Sequence, residues 1–117
     1  MTPWFLAGAI DVSWKARRAA TMLGELGARR GVAVDAVGRV VGAVDAITLL
    51  ADPSSVVADR LEPVGELADG ITIRDALVIL SHNGAKIGVV VDSGGSPIGV
   101  VTIEDLLAPL IRSGDKE

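Results

Sequence analysis

The chain repeats itself. Residues 31–50 (GVAVDAVGRVVGAVDAITLL) lie over residues 88–107 (GVVVDSGGSPIGVVTIEDLL) at an offset of 57 with no gap. Nine of the twenty columns are identical: Gly31/Gly88, Val32/Val89, Val34/Val91, Asp35/Asp92, Gly38/Gly95, Gly42/Gly99, Val44/Val101, Leu49/Leu106 and Leu50/Leu107. The same offset sets Ala19 on Ala76, Leu23 on Leu80, Gly27 on Gly84 and Ala28 on Ala85. A tandem duplication narrows the fold sharply, because both copies must build one supersecondary unit. One copy alone is marginal as a domain, whereas the 117 residues together can bury a real core. The expected division is a first repeat with its linker over 1–57 and a second over 58–117.

Within each copy the hydrophobic spacing changes in the same order. Residues 15–26 carry Ala19, Ala20, Met22, Leu23 and Leu26 at helical spacing, and Gly27 is a C-terminal stop. Residues 72–83 repeat this with Ile73, Ala76, Leu77, Ile79 and Leu80, and Gly84 stops the helix. Thr72 with Asp75 forms a capping-box pattern. Two β-rich runs follow in each copy, 32–35 with 39–44 and 87–92 with 98–101, each pair joined by a Gly-containing hairpin turn. Short amphipathic helices over 46–51 and 103–111 close the copies, and 51–59 reads as the linker. Short leading strands are expected near 7–12 and 64–68. The unit is therefore β-α-β-β-α, and two such units must cover what neither can bury singly. The expected fold is α/β (α+β), with two repeats packed as a pseudo-twofold pair.

Composition removes several functional classes. With no cysteine and one histidine, the chain has no disulfide framework, thiolate site or histidine-rich metal cluster. A net charge of -4 argues against nucleic acid, which requires a basic face. Mean hydropathy is high at +0.49, yet the longest uncharged stretches, 1–10 and 93–103, are far shorter than the roughly 20 apolar residues of a membrane span. Residues 1–10 also lack the basic n-region of a signal peptide, so a cytoplasmic setting is expected. No acid, base and nucleophile converge, so no catalytic residue, metal ligand or enzymatic activity is expected.

The repeat order, together with Gly99-Val100-Val101-Thr102-Ile103-Glu104-Asp105, resembles the CBS domain, whose last strand ends in Gly-hydrophobic-x-Thr-x-x-Asp and which occurs in tandem pairs (Bateman modules). That resemblance covers nearly the whole chain. It implies a cleft that binds an adenine nucleotide and regulates an attached enzyme or transporter. The residues it nominates are Thr102, Asp105, Gly99, Val100, Val101, Ile103, Val89 and Ile71. Thr102 would meet phosphate at a helix N-terminus, Asp105 would accept the ribose hydroxyls, and Gly99 would allow close backbone approach. Val89, Val100 and Ile103 would enclose the base. A finer similarity rests on Met1-Thr2-Pro3, on 84–92, and on 101–107. These look like the CBS pair of CorC/CNNM-type, hemolysin-like membrane proteins linked to magnesium and cobalt transport. That likeness implies ATP or AMP, with Mg2+ as a companion ion, and a parent transmembrane domain. Trp4 stands where that family has Arg.

The first copy departs from the motif. Its segment Gly42-Ala43-Val44-Asp45-Ala46-Ile47-Thr48 places an acid at the phosphate position and a hydroxyl at the ribose position. Asp45 is expected to repel phosphate, leaving one competent site in the second copy. Arg17, Arg18, Arg29, Arg30 and Lys86 are candidate phosphate cations, although each such residue is more often a solvated helix-face or turn residue, and Arg29-Arg30 also suits a helix C-terminus. The aromatics Trp4, Phe5 and Trp14 are expected to pack the N-terminal segment on the core. His82 reads as a surface cation at a helix end. Two functions follow from these residues: a nucleotide-sensing regulatory module that forms a homodimer, or a ligand-free structural dimerisation module. In the second, Thr102 and Asp105 would do no more than cap a helix.

Overall fold

The structure, a computed structural model, describes residues 1–4 and 7–115, with side chains described as far as residue 110. Phe5, expected to pack on the core, lies outside the described residues. The fold is mixed α/β, with two sheets and four α-helices among the described residues. In order, the elements are β1 (Thr2–Pro3), β2 (Ile10–Asp11), α1 (Ala16–Leu26), β3 (Arg30–Val34), β4 (Val40–Asp45) and α2 (Ala46–Ala51). A 3-10 turn at Val57–Arg60 follows, then β5 (Gly65–Ala68), α3 (Ile73–Asn83), β6 (Ile87–Val91), β7 (Pro97–Thr102) and α4 (Ile103–Asp115).

Two compact units result. One spans Ala7–Val64; the other gathers the described residues of 1–6 and of 65–117. The first holds the sheet β2-β3-β4 and the second the sheet β1-β7-β6-β5. In each, the leading strand runs parallel to the next (β2 with β3, β5 with β6), and the hairpin that follows is antiparallel. Even the irregularities repeat: the hairpin registers slip at Ala33/Val34 and at Val90/Val91.

The identical columns of the repeat have local causes. Asp35 Oδ1 accepts from the N–H groups of Val37 and Arg39 at 3.0 and 2.9 Å, and Asp92 Oδ1 accepts from Gly94 and Ser96 at 2.9 and 3.0 Å. Each carboxylate thereby closes its hairpin turn, and Gly38 and Gly95 supply the positive φ (85° and 84°) the turns need. Gly31 and Gly88 are glycines for lack of room. A Cβ on Gly31 would lie 2.8 Å from Leu23, and one on Gly88 would lie 2.8 Å from Leu67 and 3.2 Å from Leu80. Helix and strand touch there. Helices α1 and α3 end alike, with the N–H groups of Ala28 and Ala85 donating to the carbonyls of Leu23 and Leu80 at 2.9 and 2.8 Å.

Each unit has its own core. Ile10, Leu23, Val44, Leu49 and Val57 centre the first, against which Trp14 packs, while Leu67, Leu80, Val90, Val101 and Leu106 centre the second. The Arg18 guanidinium lies 3.9 Å from the Trp14 ring centroid, a cation–π contact.

Two short elements escape the expected scheme. Strand β1 pairs Thr2 with Val100 and Pro3 with Gly99, and the stretch expected as plain linker contains the 3-10 turn and a bridge between Ala43 and Glu62. These alter the division of the chain. By the offset, 58–63 is the counterpart of 1–6, yet Glu62 closes β4 of the first unit and Thr2–Pro3 closes β7 of the second. The units thus exchange leading segments, and the compact bodies do not divide at 57/58. The reason is backbone hydrogen bonding: Ala43 and Glu62 exchange N–H···O bonds of 2.9 and 2.8 Å, and an edge strand left unpaired would expose such groups.

Candidate functional site

The site grows from the junction of β7 and α4. Thr102 ends the strand, and its Oγ1 accepts from the Asp105 N–H at 3.2 Å while Asp105 Oδ2 accepts from the Thr102 N–H at 3.1 Å. This is a reciprocal capping box. Ile103, the first residue of α4, donates its N–H to the carbonyl of Lys86 at 2.9 Å, so an ammonium-bearing side chain starts beside the same helix end. A carboxylate has about four acceptor positions, so the cap leaves Asp105 able to accept more.

Asp105 lines a cavity of about 260 Å3, with Met1, Asp69, Gly70, Ile71, Ala76, Val90, Val101 and Leu106 among the other walls. This volume is near the lower edge of the roughly 300–1,000 Å3 of small-molecule pockets. The apolar walls with the two acids Asp69 and Asp105 suit a flat, largely apolar group carrying hydroxyls.

Of the residues singled out in the sequence, the structure gathers Ile71, Val101 and Asp105 at this cavity. Thr102 stands one residue outside the wall, its hydroxyl engaged in the cap. Val89 and Val100 are cross-strand partners. They are buried on the sheet face opposite Val90 and Val101, because adjacent strand residues point to opposite faces. Val89, Val100 and Ile103, expected to enclose the base, are not among the walls of this cavity, whose apolar lining includes Ile71, Val101, Val90 and Leu106. Gly99 admits a different neighbour from the one expected: a Cβ there would lie 2.5 Å from Met1 Sδ and 2.8 Å from the Thr2 carbonyl. Sequence reading missed Met1, Asp69 and Gly70. The signal for the last two was the parallel pairing of β5 with β6, since ligands gather beyond the carboxyl ends of parallel strands.

The counterpart junction in the first unit differs. Asp45 is the N-cap of α2, its Oδ1 accepting from the Ile47 N–H at 2.8 Å, and Oδ2 accepts from Arg29 Nε at 3.2 Å. Arg30 Nε lies 3.6 Å from the same oxygen, and the side chains of Arg30 and Asp45 are only 6% and 8% exposed. Burial opposes the Asp45 charge, but the Ile47 N–H and the Arg29 guanidinium outweigh it and hold the carboxyl below its ordinary range. Two guanidinium groups thus face the one carboxylate that was expected to repel phosphate. Arg30 is no solvated turn residue. Thr48, at the ribose position, donates its hydroxyl to Glu62 Oε2 at 3.5 Å.

Elsewhere, the helix faces carry two open hollows. One, of about 580 Å3, lies along α1 beside Arg17, Thr21 and Glu25; the other, of about 550 Å3, lies along α3 and α4 beside Arg74, Val78, His82 and Leu110. Among the described residues no cluster of three or more acids or histidines could hold a metal ion. No helix among them is long and apolar enough to cross a membrane.

Residues 57–112 match the family model of the CBS domain. No curated protein matches the chain significantly. Among solved structures, the CBS domain of a bacterial CNNM/CorC family Mg2+ transporter in complex with ATP is similar at 23% identity. The match covers 95% of this chain and 83% of that one, with a TM-score of 0.81. A hemolysin-like CBS protein of Oenococcus oeni PSU is similar at 14% identity, over 92% of this chain and 83% of that one, with a TM-score of 0.82. CBSX2 in complex with AMP is similar at 23% identity, over 97% and 94% of the two chains, with a TM-score of 0.73. Residues 57–112 thus match the CBS domain by sequence, and the chain as a whole has the fold of solved CBS domains.

Proposed function

We propose that the chain is the regulatory, adenine-nucleotide-binding module of a larger protein, a CorC/CNNM-type magnesium or cobalt transporter or hemolysin-like membrane protein. One observation carries this reading: Ile71, Val101 and Asp105 meet around one cavity at the N-terminus of α4. The base sits among Ile71, Val101, Val90 and Leu106, Asp105 accepts the ribose hydroxyls, and the phosphates run toward the start of α4 and Lys86. Two of the similar structures hold ATP and AMP, which agrees with this ligand class; Mg2+ would accompany a triphosphate. The repeats serve as a degenerate first CBS copy and an intact second one. Ligand that binds one arrangement of the module better than another shifts the balance between them, and that shift is passed to a transmembrane domain from the cytoplasmic side. The role is regulatory, with no catalysis by the chain itself. A homodimer is the proposed assembly: Val78, Leu107 and Leu110 expose 52%, 37% and 49% of their surface along α3 and α4, more apolar surface than a lone helix face needs to leave in water.

The test is thermal unfolding with AMP, ADP and ATP, with and without magnesium, for the wild type and Asp105→Asn. A nucleotide at about 100 times its Kd adds about 2.7 kcal/mol, roughly a 10 °C rise in a domain near this size. Asp105→Asn keeps an acceptor for the cap, so a rise lost in this variant reads ligand contact. The second reading, a structural dimerisation module without ligand, is favoured by the capping box, which by itself accounts for both Thr102 and Asp105. No shift with any nucleotide would make it the better account.

A further inference from the structure

Among the described residues that line the candidate cavity, only Asp69 and Asp105 carry a side-chain oxygen or nitrogen; the others are apolar or glycine, and no cation is among them. The strand pairing sets the two acids toward opposite ends of the wall. Asp69 follows β5 and donates its N–H to the Val91 carbonyl at 2.9 Å, at one end of β6. Thr102, whose N–H is held by Asp105, is the cross-strand partner of Ile87 at the other end. Ile87 and Val91 bound β6, about 13 Å apart along the strand.

The two carboxylates also differ in what they already hold. Asp105 caps α4 through Oδ2, whereas the Asp69 carboxylate has no hydrogen bond or ion pair among the described residues. Its turn closes through the backbone: the Ile71 N–H donates to the Ala68 carbonyl at 3.1 Å, and Gly70 supplies a φ of 82°. The Asp69 side chain therefore does nothing for the turn that carries it. Neither acid recurs in the first repeat, where Val12 and Thr48 hold the same columns.

We infer that Asp69 reads the base: its carboxylate accepts from the exocyclic 6-amino group of an adenine whose ribose lies on Asp105. This rests on the nucleotide reading of the cavity and deepens it, because it names the group that chooses among purines. A carboxylate at neutral pH accepts and does not donate. Adenine presents an amino donor where guanine presents a carbonyl oxygen, and hypoxanthine carries the same oxygen, so a 6-oxo purine sets acceptor against acceptor. The apolar walls touch either ring alike. A site that bonds a ligand's donor rejects the analogue lacking it far more strongly than apolar contact does.

Isothermal titration calorimetry tests this with AMP against IMP and with ATP against ITP, the triphosphates with magnesium. In the wild type the 6-amino nucleotide of each pair should bind about tenfold tighter or more, the worth of a hydrogen bond to a charged group. Asp69→Ala should bring the two within about threefold of each other by weakening the 6-amino nucleotide. Asp69→Asn should do so by strengthening the 6-oxo one, because an amide can donate as well as accept. Asp105→Asn should weaken both members of a pair together and leave their ratio as in the wild type. With no partner to lose, both Asp69 variants should melt within about 3 °C of the wild type. Wild-type affinities that differ by less than about threefold within each pair would overturn the inference and leave the nucleotide reading standing. So would a preference for the 6-amino nucleotide that survives in both Asp69 variants, since backbone groups would then be reading the base. Binding of none of the four nucleotides by the wild type would overturn the nucleotide reading itself, and the role of Asp69 with it.

Discussion

Asp45 has two oxygens and uses both, one to cap α2 and one to face Arg29 and Arg30. Removing it takes away the cap of α2 and a carboxylate that faces the buried Arg30 guanidinium, and breaking a buried ion pair costs up to about 3–5 kcal/mol. Asp45→Ala should therefore unfold at markedly lower denaturant than the wild type, with an unchanged slope. The folded carboxyl is held below its ordinary range. Its stabilisation is thus complete above the unfolded value near 3.9 and is lost as pH falls through the lower folded value. A urea midpoint that drops on acidification below about pH 4 in the wild type, and drops less in Asp45→Ala, checks this. The chemistry at Asp45 was not legible beforehand. The sequence shows an acid in a hydroxyl's column, but Arg29 and Arg30 are 16 and 15 positions away along the chain, and only the pairing of β3 with β4 brings them to it. Thr102 and Asp105, three residues apart, were legible because a capping box is local.

Elements were read from the sequence where two copies agreed. α2 was expected over 46–51 and is found there, α1 and α3 begin one residue later than expected, and the hairpin strands shift by one or two residues. The Asp-x-x-Gly hairpin turns explain this reliability: both chemical requirements, a short acid and a residue with positive φ, appear in the sequence itself. Replacing Gly95 by Ala, at φ 84°, should cost about 1 kcal/mol or more and appear as a lower melting temperature. Gly94→Ala, two residues past the same aspartate and without a positive φ, should cost less. Differential scanning calorimetry of the two variants measures the contrast. What was missed was short. A two-residue strand and a four-residue 3-10 turn carry no hydrophobic period to detect, and β1 exists only because β7 offers it an edge.

For the whole molecule, the repeat announced two units, but the place where one ends and the other begins was hidden by the exchange of leading segments. A fragment comprising 1–57 lacks the Glu62 strand pairing and keeps Met1 to Pro3, whose partner strand β7 it does not contain. A fragment comprising 7–64 contains every pairing of its own sheet. Circular dichroism and amide dispersion should therefore show more ordered structure in 7–64 than in 1–57, although the two differ by only a few residues. Equal order in both would show that the exchanged segments contribute little. The candidate cavity depends on the same arrangement, since Met1 is one of its walls.

The exchange also limits how such a gene can change. Recombination that copies or deletes one 57-residue period leaves a leading segment without its edge and an edge without its segment. A crossover that moves both periods together leaves every pairing intact. The heritable piece is therefore the doublet, and a lone copy keeps a leading segment whose partner strand it has lost.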